Sequence, residues 1–205
     1  MRILVVNSGG SSVKYQLVEM PQGNVLARGS VERIGKDDAE LQMDVAGSKA
    51  IRRILPVADH GVALRLALEG LADTDVGVID SFAEIDAVGH RVVHGGEKCT
   101  GSVLITDEVI GVLKEFYDLA PLHNPPNTRG IEICRQLMPK TPMVAVFDSS
   151  LHQSVPAYAY IYAIPYEYYE KHRVRRYGFH GITFRYMTQR AAELLGRPLE
   201  DLKIV

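Results

Sequence analysis

Apolar and polar residues alternate along the first third of the chain with the period of two that is typical of half-buried β-strands. Five short segments show this alternation before residue 56, and turns containing glycine, proline or asparagine separate them. Strands this close in sequence usually pair as antiparallel neighbours. We therefore predict an antiparallel meander with strands at residues 2–7, 14–20, 25–33, 41–45 and 51–55, and we interpret the polar stretch at 35–40 as a break.

After residue 58 the apolar positions recur every three or four residues, which predicts helices. Asp59 and Thr106 are suited to cap the first two helices, because short polar side chains accept from free N–H groups there. A third helix begins at Asn124, since two prolines follow in its first turn. We predict a last helix at about residues 183–195 and two apolar strands at 85–93 and 143–147.

An antiparallel meander followed by alternating strands and helices indicates the α/β class, with a mixed central sheet and helices on its faces. We expect residues 1–200 to form this domain. Residues 201–205 have the composition of a strand, and we interpret them as the opening of a further domain.

Composition narrows the classes of function. Of the 205 residues, 46% are hydrophobic and 23% are charged, and the net charge is −2, as in ordinary globular proteins. This charge gives no basis for binding nucleic acid or an acidic membrane, and no apolar run approaches the ~18 residues of a membrane helix. The basic run at 171–176 is interpreted as a solvated face. The two cysteines show neither metal-ligand spacing nor disulfide density, so a reducing cytoplasm fits best.

The segment from Asn7 to Lys14 places small residues between two strands. Such a turn can aim backbone N–H groups at an anion, and hydroxyl groups and Lys14 add donors for phosphate. No helix follows, so the segment is not a Walker loop. Asn7 could hold magnesium or a magnesium-bound water, because hard oxygen ligands suit that ion. A plain glycine hairpin explains the same residues, and both interpretations stay open.

Two further segments place polar side chains at strand ends. Arg91 lies where an apolar strand meets a glycine turn, and its planar fork matches a carboxylate or a phosphoryl group. His90 and His94 beside it are either ligands or structural residues. Asp148 follows the last predicted strand, and ligands of open α/β sheets bind outside the carboxyl ends of strands. Asp148 could equally cap the segment that follows it.

Two histidines directly precede helices. His123 stands just before Asn124, where free N–H groups and the helix dipole favour anions, although it could simply belong to a capping turn. His180 lies between Gly178 and Gly181, which allow the backbone to approach a ligand closely.

Taken together, these segments resemble the acetate kinase family in residue type, order and spacing over the whole chain. The resemblance implies a ribonuclease-H-like domain of the actin-like ATPase superfamily, whose two halves close on ATP. It also implies reversible transfer of the γ-phosphoryl group of ATP to acetate, giving acetyl phosphate and ADP. The implied metal is Mg²⁺ or Mn²⁺, and full-length members are expected to pair as homodimers.

The resemblance further implies roles for the motif residues. Those that bind the metal and the nucleotide phosphates would be Asn7 for the metal, and Gly9, Ser11, Ser12 and Lys14 for the phosphates. Those that line a small apolar pocket for the methyl group would be Val93, Leu122 and Phe179. Those that act on the reacting groups would be Arg91 on the carboxylate or phosphoryl group, Asp148 as the active-site acid, and His180 with His123 as transition-state donors.

The chain departs from the family pattern at Gly10, where a serine is usual, and in the segments at 149–151 and 182–184. A propionate or butyrate kinase of the same family is therefore an alternative. The family's glycine-rich phosphate loop, second arginine and magnesium glutamate would lie beyond residue 205, so we expect this chain alone to be inactive. A non-catalytic module that binds phosphate or nucleotide is the alternative from another class.

Overall fold

The computed structural model describes residues 1–47 and 50–204. The strands within these ranges are β1 (Arg2–Ser8), β2 (Ser12–Glu19), β3 (Asn24–Glu32), β4 (Lys36–Val45), β5 (Ile51–Val57), β6 (Ala87–Val92), β7 (Val103–Leu104) and β8 (Met143–Phe147). They form one sheet in the order β5-β4-β3-β2-β1-β6-β8-β7. The predicted antiparallel meander is therefore confirmed as β1–β5.

The α-helices of the described chain are α1 (His60–Leu71), α2 (Asp107–Glu115), α3 (Asn124–Leu137), α4 (Ala157–Tyr160), α5 (Glu167–His172) and α6 (Gly181–Leu195). Asp59 and Thr106 cap α1 and α2 as predicted, because their side chains accept from the N–H groups of residues 62 and 109. Helix α6 ends at Gly196 in the left-handed region, with φ of 61°.

The sheet is mixed because β1 has two kinds of neighbour. It pairs antiparallel with β2 and parallel with β6, and β6 in turn pairs parallel with β8. The carboxyl ends of β1, β6 and β8 therefore meet at one edge of the sheet, where ligands of open α/β sheets bind.

One face of the sheet carries the hydrophobic core, against which α1 and α3 pack. Leu4, Leu17 and Phe147 point from the sheet into this core, and Leu64 and Ile131 meet them from the helices, all with no exposed surface. Full burial stabilises the fold by ~1.5–3 kcal/mol for each such side chain. On the opposite face of the meander, exposed residues such as Lys14, Gln16 and Arg28 alternate with the core positions.

Strand β4 is longer than predicted. The polar stretch at 35–40 was expected to break the sheet, but β4 begins at Lys36 and pairs with β3 and β5. Ala39 is fully buried between the exposed Asp38 and the half-buried Glu40, so the alternation of the strand extends back to residue 39. Only β5 pairs with residues before Glu40, since β3 reaches no further than Glu40, and this pairing overrides the low β-propensity of the polar residues.

Residues Leu202–Ile204 pair with none of the described strands, and Val205 lies outside the described residues. The opening of a further domain at residues 201–205 therefore stays a prediction.

One expectation about the last part of the chain is wrong. The basic run at 171–176 is not a uniformly solvated face. Arg175 is buried, its guanidinium carbon lies 3.5 Å from the centroid of the Tyr160 ring, and it pairs with Glu97. Aromatic packing and an ion pair draw this arginine inward.

Within residues 1–47 and 50–204, no helix combines the length and the apolar character that crossing a membrane requires.

Candidate active site

A chain of side-chain hydrogen bonds links the carboxyl ends of the three parallel strands. Arg91 on β6 donates to Asp148, just after β8, from Nε at 3.1 Å and from Nη2 at 2.5 Å, both to Oδ2. Its Nη1 donates to Oδ1 of Asn7 on β1 at 3.0 Å. The structure thus brings together three of the predicted site residues. No side-chain cap bond forms at the turn Ser150–Ser154, so the alternative of Asp148 as a cap is not supported.

The loop from Gly9 to Ser12 turns tightly between β1 and β2. Gly9 N–H donates to the Ser12 carbonyl oxygen at 2.7 Å. Gly10 and Ser11 are exposed residues, and within the described ranges their amides donate to no protein acceptor. A Cβ added at Gly10 would lie 3.4 Å from the Leu122 carbonyl oxygen, so the family's usual serine would fit there as well.

His60 supports this loop, a role that was not predicted from the sequence. The ring of His60 lies at the start of α1, and its Nε2 is 2.7 Å from the Gly9 carbonyl oxygen. Because a carbonyl oxygen only accepts, Nε2 carries the proton and donates. The only available signal was the Asp59 cap, which places residue 60 in the first turn of a helix but does not indicate which loop it faces.

The start of α3 differs from the expected anion site. His123 directly precedes the helix, as predicted, but the helix offers no free N–H group there. Asn124 N–H donates to the Ala120 carbonyl oxygen at 2.9 Å, Asn127 N–H donates to that of His123 at 3.0 Å, and Pro125 and Pro126 have no N–H. Any anion at this end must therefore be bound by side chains.

Two buried asparagines, also missed, fasten α3 to the strand ends. Asn127 accepts from Val93 N–H at 3.0 Å and donates to the Ser8 carbonyl oxygen. Asn124 accepts from His94 N–H at 3.2 Å and donates to the His94 carbonyl oxygen at 2.9 Å. These bonds hold the segment that follows Arg91 against the helix. An asparagine beside a pair of prolines carries no sequence signal for such a contact.

Both histidines beside Arg91 are buried. Burial lowers the pKa of His90 to about 3, and burial together with the nearby Arg175 guanidinium lowers that of His94 to about 4. Each ring is therefore neutral at physiological pH. His94 Nδ1 accepts from Gly96 N–H at 2.9 Å, and its ring lies edge-on to Phe179 at 5.5 Å between centroids.

The three predicted pocket residues differ in burial. Val93 is 7% exposed, whereas Phe179 is 41% and Leu122 is 75% exposed. Val93 directly precedes His94 in the chain, and the His94 ring contacts Phe179. Val93 and Phe179 therefore lie near each other. Leu122 instead lies next to the turn at Gly10.

His180 lies in an unusual backbone conformation directly beside Asp148. Its φ of 60° is in the left-handed region, which a non-glycine residue adopts rarely and often at functional sites. Gly181 N–H donates to the Asp148 carbonyl oxygen at 2.8 Å. The exposed His180 is therefore tied through its neighbour to the backbone of another predicted site residue.

Two cavities flank the first loop. One, of about 720 Å³, is lined by Ser11, Ser12, Leu122 and His123 together with His60. The other, of about 410 Å³, lies on the open sheet face and includes Asn7 and Lys14. Lys14 Nζ is 3.7 Å from a Glu32 carboxylate oxygen in that second cavity. Lys14 thus lines a different cavity from Ser11 and Ser12, although Ser12 and Lys14 lie on the same face of β2.

The site offers oxygen donors for a metal ion, but few of them are carboxylates. No group of three or more His, Cys, Asp or Glu residues suited to a metal occurs within the described ranges. Asn7 and Asp148 supply one amide oxygen and one carboxylate. This set fits Mg²⁺, which commonly keeps several waters and takes one or two carboxylates together with substrate phosphates.

The fold and this site define a class: a ribonuclease-H-like α/β domain with a guanidinium–carboxylate pair at the carboxyl ends of its parallel strands. Comparison with known proteins narrows the class. The sequence model of the acetokinase family matches residues 2–205, and the chain belongs to that family.

Similar proteins agree with this assignment. An acetate kinase of Caldanaerobacter subterraneus subsp. tengcongensis is 58% identical over all 205 residues, which cover 51% of the relative. The crystal structure of Porphyromonas gingivalis acetate kinase matches with a TM-score of 0.89 and 46% identity, over 97% of this chain and 50% of that one. A propionate kinase from Francisella tularensis subsp. tularensis matches with a TM-score of 0.86 and 36% identity, over 96% and 49%. The chain thus spans about half the length of the relatives it matches.

Proposed function

We propose that the full-length protein transfers the γ-phosphoryl group of ATP to acetate, giving acetyl phosphate and ADP. The observation that carries this proposal is the Asn7–Arg91–Asp148 linkage at the carboxyl ends of β1, β6 and β8, in a chain of the acetokinase family. An acetate oxygen attacks the γ-phosphorus as the bond from that phosphorus to the ADP oxygen breaks. Acetate is already ionised at neutral pH, so the reaction needs positioning and charge stabilisation more than a base.

Arg91 would bind the carboxylate or the transferring group. Its guanidinium has five N–H donors, of which two point to Asp148 and one to Asn7. The two remaining donors, one on each terminal nitrogen, would bind oxygens of a substrate. Asp148 would hold the Arg91 guanidinium in place, because the Asp148 side chain is only 4% exposed and cannot turn toward solvent.

Val93, Leu122 and Phe179 would contact the methyl group of the substrate. The observed contact between Phe179 and the ring of His94, next to Val93, supports the part of this pocket formed by Val93 and Phe179. Leu122 would complete it from the side of the first loop when the site closes. One extra methylene changes binding by only ~1–3 kcal/mol, so a propionate or butyrate kinase is the second candidate, favoured by the propionate kinase match.

His180, with His123, would donate to the equatorial oxygens of the transition state. The tie between Gly181 and Asp148 supports this role for His180, because it fixes the loop beside the Arg91 fork. His123 would act through its side chain alone, since the helix start behind it supplies no free N–H group.

The nucleotide phosphates would lie at the first loop. The free amides of Gly10 and Ser11, with the hydroxyls of Ser11 and Ser12, form a turn suited to anions, which Gly9 closes. Lys14 would reach a phosphate by leaving Glu32, and exposed ion pairs of this kind contribute only ~0–1 kcal/mol. Asn7 and Asp148 would hold Mg²⁺, which when bound neutralises charge on the phosphate oxygens.

We further propose that residues 1–200 are one side of the active-site cleft, that the full-length protein is a homodimer, and that this chain alone is inactive. The relatives are about twice as long as this chain, and loss of one positively charged transition-state group can cost ~10³-fold.

A hydroxamate assay for acetyl phosphate, with ATP, magnesium and acetate, tests the proposal on this chain and on a full-length version completed with the remaining half of the Caldanaerobacter relative. We expect product only from the completed protein, and none from its Arg91→Ala variant. Turnover by the 205 residues alone would overturn the half-enzyme proposal. Nucleotide binding without turnover in the completed protein would favour the non-catalytic module.

A further inference from the structure

The loop that carries His180 is held at two points by the segment just after β8. Gly181 N–H donates to the Asp148 carbonyl oxygen at 2.8 Å. On the other flank, Nε2 of His152 lies 3.0 Å from the Phe179 carbonyl oxygen. Because the carbonyl oxygen only accepts, Nε2 of His152 carries the proton and donates. The residues on both sides of His180 are therefore fixed by one short stretch of chain.

The close approach of this loop requires glycine at both ends. Gly178 has φ of 76°, and a Cβ there would lie 2.3 Å from Cγ of His152. A Cβ at Gly181 would lie 2.5 Å from the Asp148 carbonyl oxygen. Such distances do not occur between real atoms, so the imidazole ring of His152 packs directly on the loop backbone.

The ring of His152 also touches the helix that His180 precedes. It lies edge-on to Phe184, in the first turn of α6, at 6.2 Å between ring centroids and 90° between planes. His152 thus contacts the chain before and after His180. His180 itself is held in the left-handed region, where a non-glycine residue persists only if its surroundings fix it.

We propose that His152 is a positioning residue, which orients His180 by donating a hydrogen bond to Phe179 and by packing against Gly178 and Phe184. The proposal rests on the proposed role of His180 in phosphoryl transfer. His152 itself touches no reacting group. A misplacement of a reacting group by about 1 Å can cost 10²-fold in rate, so a hydrogen bond of this kind is sufficient to matter.

The first test uses this chain and needs no activity. Amide hydrogen exchange is measured at Gly181 and, as a reference for global opening, at Val88 in the core, whose N–H donates to the Pro142 carbonyl oxygen. His152→Leu removes the donor, whereas His152→Gln keeps an amide N–H at a similar distance. His172→Leu, at an exposed position on α5, is the matched control.

We expect Gly181 exchange relative to Val88 to rise about 3- to 10-fold in His152→Leu, and to stay near the parent value in His152→Gln and His172→Leu. If His152→Leu does not fold, His152→Asn takes its place, because its amide is too short to reach Phe179. Equal exchange ratios in the parent and in the donor-free variant would overturn the proposal.

The second test separates positioning from structural support in the completed protein. We expect His152→Leu to lower kcat about 10- to 100-fold with KM for acetate and ATP within about twofold, and His152→Gln to restore most of the loss. In a His180→Ala background, His152→Leu should change kcat by less than about twofold. Additive losses would overturn the proposal. An inactive completed parent would instead refute the proposed function, and the exchange measurement would still decide the role of His152.

Discussion

Asp148 and Arg91 form an ion pair whose members differ sharply in exposure: the Asp148 side chain is 4% exposed and that of Arg91 is 32%. The carboxylate is therefore the buried partner, and it depends on the guanidinium for its charge compensation. We expect Arg91→Ala to lower the free energy of unfolding by about 1–3 kcal/mol, because it leaves a buried acceptor without its donor. Urea unfolding of this chain measures the loss.

A double variant separates the stability contributed by the Arg91–Asp148 interaction from that of each side chain alone. Arg91→Met combined with Asp148→Leu should cost clearly less than the sum of the two single changes, because no charge is left buried. Additive losses would show that the two side chains stabilise the fold independently.

Gly178→Ala should destabilise the chain by about 2–4 kcal/mol, through left-handed strain and a clash with the His152 ring. Gly196 is the matched control, since its φ of 61° is also positive but open space surrounds it. Gly196→Ala should cost only about 1 kcal/mol. Thermal unfolding of the two variants gives the difference, and equal losses would exclude the clash.

Stability should fall with acid through the two buried histidines. The pKa values of His90 and His94, about 3 and about 4 in the folded chain, lie below the ordinary value of 6.5. Between about pH 4 and 6.5 the unfolded chain therefore binds more protons than the folded one, so the free energy of unfolding decreases as pH falls. Each histidine contributes at most ~1.4 kcal/mol per pH unit.

His90→Leu should remove about half of that slope, measured by urea unfolding between pH 7 and 5. In the described part of the chain, Nε2 of His90 has no hydrogen-bond partner, so the substitution should cost little at pH 7. His172→Leu, at an exposed site, should leave the slope unchanged. A slope equal to that of the parent in His90→Leu would contradict the assignment.

Asn124→Ala should cost about 2–4 kcal/mol, because it leaves both backbone groups of the buried His94 without partners. Asn24→Ala, at an exposed strand end, should change stability by less than about 0.5 kcal/mol. Chemical unfolding of both variants provides the comparison. A small loss in Asn124→Ala would mean that water replaces the asparagine.

Local patterns were sufficient to predict most of the fold. The alternation in β1–β3, the caps at Asp59 and Thr106, and the prolines after Asn124 each act within a few residues, and the structure confirms them. The start of β4 at Lys36 was missed because its pairing with β5, rather than its own composition, determines it.

For the site, the sequence indicated side chains at strand ends but not their partners. Asn7, Arg91 and Asp148 were identified separately, and only the parallel pairing of distant strands brings them together. His60 and His152 were not assigned roles, because each acts on a backbone carbonyl of a remote loop. The prediction of free N–H groups beside His123 was wrong for a local reason. The same prolines that predicted the start of α3 have no N–H group to donate.

The position of β1 in the sheet also has a consequence for the order of folding. Its pairing with β2 closes a turn of a few residues, whereas its pairing with β6 brings Ile3 next to Ala87 across a long stretch of chain. Because closing a long loop costs more chain entropy, the meander should form first and the parallel strands should dock on it later. The contacts that assemble Asn7, Arg91 and Asp148 would then be among the last to appear as the chain folds.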